Sequence, residues 1–153
     1  MVRRIVGFIF AVMVTFSLGA IASTQSVISS LADMGAPLTV NERLSMTLHD
    51  LVGMLPLYGS LVAIGFLLAL PVAGWASHRL GSLRVLGFVL AGALAVFLVH
   101  AGLHSIFGTS LVAGARSTLG LSVQILAGAI GGYCYLLIRD EPRLDGHTRK
   151  GER

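Results

Sequence analysis

The sequence predicts an all-α integral membrane protein: a four-helix bundle with an amphipathic interfacial helix on its outer face, between the first two spans. Three observations predict it. Hydrophobic residues make up 55% of the 153 residues and charged residues 12%, against roughly 25% charged in an average soluble protein. Four apolar runs approach or exceed the ~20 residues that a helix needs to cross the hydrocarbon core. The 19 glycines are scattered through those runs, where small residues let helices approach closely. The length fits one domain, with residues 1–138 as the bundle and 139–153 as a charged, disordered cytoplasmic tail.

Met1–Arg4 is short and basic, and the apolar run 5–22 follows. A cleaved signal peptide is one reading, because Ala20-Ile21-Ala22 fits a small-x-small cleavage pattern. The run exceeds the usual signal core of ~7–15 residues, which favours a retained first span. Val27, Ile28, Leu31 and Met34 then continue at helical spacing, so the helix is expected to project past the bilayer. Gly35 is its stop, since glycine tolerates the left-handed conformation that ends helices.

Thr39 to Tyr58 is the only polar-patterned stretch. Thr39 and Glu42 form a capping box, with the carboxylate at the positive end of the helix dipole. Val40, Leu44, Leu48, Leu51 and Leu55 recur at spacings of three and four and share one face. Asn41, Ser45 and His49 fall on another, with Glu42 and Asp50 at its margins. A helix of this kind, over 39–52, is expected to lie at a membrane surface. Gly53 and Pro56 give it a place to bend.

The second span is 55–76, about 30 Å at ~1.5 Å per residue. Pro71 is expected to kink it, and Trp75 marks an interface. SHRLGSLR is a polar hinge before the third span, 85–103. A second connection with the portion LVAGA leads to Ser117 or Thr118 as a cap, and then to the fourth span, 119–138.

Positive charges set the expected orientation. With the N-terminus inside, the inner segments hold nine (Arg3, Arg4, Arg79, Arg84, Arg139, Arg143, Arg149, Lys150, Arg153) and the outer segments two, Arg43 and Arg116. Both termini are therefore expected in the cytoplasm, in the inner membrane if the source is bacterial.

That topology gathers polar groups on one surface. His100 and His104 are four apart on one helix face and with His49 make a candidate metal or haem site. The plainer reading has these histidines bonded to backbone, headgroups or Asp50. Glu42, Asp50 and Arg116 form a polar outer cluster, in which Arg116 either pairs with a carboxylate or meets lipid phosphate. Gln124 falls within a stripe of Gly120, Gly128 and Gly132; a second stripe is Gly87, Ala91 and Ala95. Such stripes join helices within one chain or between subunits.

Several functions are disfavoured. No charged residue falls in the middle of a span, and coupled transport, proton relays and voltage sensing generally need one. The lone Cys134 excludes an intramolecular disulfide and a CxxC pair. No Gly-rich phosphate loop, HExxH pair or GxSxG elbow is present, which argues against an enzyme. The reading that remains is a non-catalytic membrane subunit that packs against itself or a larger membrane partner, without a cofactor and without nucleic acid. A metal- or haem-binding redox protein using the outer histidines is the alternative. A small channel or carrier lined by Gln124 is the third.

Overall fold

The computed structural model describes residues 2–36, 38–80, 83–108 and 117–140, with the side chains of 77–80 and 107 set aside. The hinge at 81–82, the LVAGA connection, Arg116 and the tail from 141 onward lie outside the described residues. Every element among these is helical: α1 (Val2–Asp33), α2 (Val40–Met54), α3 (Ser60–Leu80), α4 (Arg84–Phe107) and α5 (Thr118–Asp140), with a π turn at Leu55–Gly59. Four stretches are long and apolar enough to cross a membrane: Val2–Asp33, Val40–Ala76, Arg84–Ile106 and Thr118–Asp140. These fit a multi-pass membrane protein. Only 22–39% of each apolar window is buried by the chain itself, which leaves a broad aliphatic exterior of the kind that lipid tolerates and water does not.

Helix α1 has 32 residues, roughly 48 Å at 1.5 Å per residue, against a hydrocarbon core of about 30 Å. It is longer than a crossing requires. It stops at Gly35, whose φ of 85° is left-handed. The amides of Gly35 and Ala36 bond back to Ala32 O and Leu31 O and satisfy two of the last carbonyls. The next helix starts on the expected capping box. Thr39 Oγ1 accepts from the Glu42 amide at 3.4 Å, and the Thr39 amide donates to Glu42 Oε2 at 2.7 Å.

At Gly53 and Pro56, the expected place to bend, the chain stays helical. The backbone is right-handed helical at Met54, Leu55 and Ser60, and α2, the π turn and α3 form one continuous run. Pro56 lies inside this run, in the π segment, whose wider turn accommodates a residue with no N–H to give the helical ladder. This long helix runs antiparallel to α1: Thr24 meets Asp50, Gln25 meets Thr47, and Phe16 meets Tyr58.

Beyond the π turn α3 packs mainly on α4; α4 packs on α5 and α5 on α1, closing an up-down-up-down ring. Its core holds Phe16, Phe66, Phe88, Val62, Val96 and Leu136. One end carries the chain terminus and the α3–α4 connection; the other carries the α1–α2 hairpin and the end of α4. At the first end Arg84 pairs with Asp140 at 2.6 Å. Helix α5 therefore runs on through Arg139 and Asp140, which were expected to open the tail. At the hairpin end Ser117 caps α5 by accepting from the Gly120 amide at 3.0 Å.

Candidate functional site

Glycine sets the depth at which the bundle closes. A Cβ on Gly92 would run into the carbonyl of Gly128, and one on Gly132 into the carbonyl of Phe88, so α4 and α5 meet backbone to backbone. Gly131 is closed off on the opposite side by Thr15 and Ala11 of α1. The stripe of Gly128 and Gly132 is therefore consumed inside the chain, with Gly120 half-buried at its start. Its partner on α4 is Phe88, Gly92 and Val96, one residue round from the expected Gly87, Ala91 and Ala95. Those three turn toward α3, where Ala95 lies under Gly65.

A polar layer crosses this core. Gln124 is fully buried on α5. Its Nε2 donates to the carbonyl of Gly19 on α1 at 2.9 Å, and its Oε1 accepts from the Tyr58 hydroxyl at 2.7 Å. Gly19 leaves room for this layer: a Cβ there would come within 2.5 Å of Gln124 Oε1 and 2.8 Å of Tyr58 Oη, and those side-chain ends would have to shift. The π turn presents Tyr58 to this layer. His100 of α4 stands edge-on to the Tyr58 ring, centroids 5.8 Å apart. It is 5% exposed, with Nδ1 2.9 Å from the Val96 carbonyl. That contact assigns the proton to Nδ1 and leaves a lone pair on Nε2. Nε2 has no partner among the described residues.

Nearer the hairpin, the Thr24 hydroxyl is shared between Ala20 O at 3.0 Å and Asp50 Oδ2 at 2.8 Å. Deeper in, Thr15 Oγ1 donates to Ala127 O at 3.3 Å. Thr15, Gly19 and Ser23 recur every four residues and form one inward stripe on α1, with Ser23 also engaged. The bonds of Gln124 to Gly19 and Tyr58 tie three helices together and fix register, since a slip would strand the amide and the hydroxyl.

Of the expected outer groups, Arg116 lies outside the described residues. His49 and His104 are exposed while His100 points inward. Among the described residues no group of three or more His, Cys, Asp or Glu is placed to hold a metal ion. Glu42 is occupied by Thr39, whose amide and hydroxyl both donate to its Oε2 at 2.7 Å. Asp50 is turned to Thr24. Gln124 spends its amide on two protein partners, as a packing residue would.

The leucine face of α2 is split. Leu51 packs against the core together with Met54. Val40, Leu44, Leu48 and Leu55 are exposed, at 83%, 58%, 56% and 43%, and Val52 joins them at 76%. The face of α2 turned to α1 is the polar one, carrying Thr47 and Asp50, because the end of α1 offers Thr24 and Gln25.

Tyr58, Thr15, Thr24 and Gly92 escaped the sequence reading. Tyr58 had a signal: a tyrosine at the head of an apolar span needs a partner for its hydroxyl, and Gln124 was the one amide inside a span. Comparison of the chain with protein-family models, with curated proteins and with solved structures finds no match.

Proposed function

We propose that the chain is a non-catalytic membrane subunit, a pre-formed four-span bundle that presents α2 as its docking element to a larger membrane partner or a second copy. The observation that carries this reading is the row of Val40, Leu44, Leu48 and Val52, exposed on a helix that extends beyond the bundle core. The interior supports the same reading. Its glycines are spent on α4–α5 and α1–α5 contacts, and its polar groups bond to one another. Among the described residues no carboxylate or ammonium is buried in that core to couple an ion or a proton.

In this reading the arginine-rich end, with both termini, faces the cytoplasm, and the α1–α2 hairpin faces the other compartment. Nine of eleven positive charges favour it.

The test is the double variant Leu44→Glu with Leu48→Glu, purified from native membranes in mild detergent. It should keep wild-type helicity and monomer size yet lose the species that co-purifies with wild type. A wild-type chain that purifies alone as a monomer, or a variant that keeps its partner, would end the proposal.

A further inference from the structure

Helices α3 and α4 diverge on their outer side and leave a groove of about 630 Å3 in which every lining residue is glycine, alanine or aliphatic. Its floor is Gly65, Ala69 and Ala73 of α3 with Gly87, Ala91 and Ala95 of α4; Leu68 and Leu94 stand at its rims, 68% and 55% exposed. It extends from Leu61 to Ala76 on one wall and from Gly87 to Val99 on the other, roughly 18–22 Å at 1.5 Å per residue. Half a hydrocarbon core is about 15 Å. The groove is thus as long as one acyl chain of one leaflet needs.

Charge decides what enters it and from which end. At the Ala76–Gly87 end, Arg84 stands one turn before Gly87. Arg139 lies at the same level, its Nη1 3.4 Å from the Cβ position of Gly74 on α3 and its guanidinium carbon 5.2 Å from the centre of the Phe88 ring on α4. Two guanidinium groups there face one described carboxylate, Asp140, which holds Nη2 of Arg84. Nε of Arg84 has no partner among the described residues. Around the hairpin end the described charges are Asp33, Glu42 and Asp50 against Arg43. A phosphate is favoured at the arginine end, where guanidinium offers it paired donors, and repelled at the other.

We infer that the α3–α4 groove is a phospholipid site, holding one acyl chain along its glycine–alanine floor with the phosphate at Arg84 and Arg139. A second copy is a poorer occupant. Two such faces related by a two-fold axis along the membrane normal would bring both arginine pairs to one level, where like charges oppose contact. The inference does not depend on the docking role of α2.

The experiment is native mass spectrometry of the full chain, released from mild-detergent micelles containing phosphatidylglycerol. Wild type should retain one phospholipid per chain, whereas dioleoylglycerol, with equivalent chains and no phosphate, should not be retained. Ala91→Leu, which fills the floor, should lower phospholipid occupancy by about tenfold. Arg84→Gln combined with Asp140→Asn should lower it while leaving the groove intact. Wild type free of phospholipid would overturn the site, and so would equal retention of dioleoylglycerol. A wild-type dimer that Ala91→Leu dissolves, with lipid count unchanged, would assign the groove to a second copy instead. If Ala91→Leu fails to fold, the wild-type comparison of the two lipids still decides.

Discussion

Gln124 and Tyr58 show how one polar contact can specify a bundle whose exterior is indifferent to rotation. Lipid makes no distinction among aliphatic faces, so hydrophobicity alone sets neither register nor azimuth of a span. The amide of Gln124 does, because both its ends must be satisfied at once. Tyr58→Phe leaves Gln124 Oε1 without its donor, and Gln124→Leu leaves the Tyr58 hydroxyl unpaired and the Gly19 carbonyl with its helical bond alone. Each single variant should lower unfolding free energy in detergent by about 0.6–2 kcal/mol. The double variant should cost less than the sum of the two, and strict additivity would show that the bond contributes nothing. At this scale the sequence was half legible. It displayed Gln124 as an amide among glycines and so pointed to packing. His100 looked interfacial from its distance along the helix, because span length says nothing about which way a side chain faces.

Among the elements, α4 and α5 carry the closest approach. Gly92 and Gly128 each place backbone where the other would need room for a Cβ. Gly92→Ala should therefore destabilise the bundle by about 1–3 kcal/mol, the range for overpacking a filled interior, as measured by unfolding in detergent. Ala93→Leu, at a half-buried neighbour, serves as the comparison and should be milder. Equal effects would mean that the two helices do not meet as described. Periodicity revealed that small residues recur every four positions on both helices. It could not tell which of two adjacent four-residue rows, Gly87–Ala91–Ala95 or Phe88–Gly92–Val96, turned to α5. The row of small residues alone looked the better candidate; the mixed row won because Phe88 and Val96 fill the space flanking Gly92. The continuous α2–α3 helix was hidden for a related reason. Glycine and proline are read as breakers from local preference, whereas a π turn accommodates Pro56 within the helix.

Taken whole, the chain is a ring of four antiparallel helical runs with one hairpin extended beyond it. The span count, the capping box, the stop at Gly35 and the cap at Ser117 were all legible, since each depends on composition or on a few adjacent residues. The order of helices around the ring was not, because it rests on contacts between residues a hundred positions apart, such as Gln124 with Gly19. The central claim is that the hairpin end and the arginine end lie on opposite sides of a membrane. Single cysteines at the exposed positions His49 and Leu83, in a Cys134→Ser background, test it with a membrane-impermeant thiol reagent on intact cells. The account predicts labelling of His49→Cys from outside and of Leu83→Cys only after the membrane is opened. Labelling of both from the same compartment would contradict it.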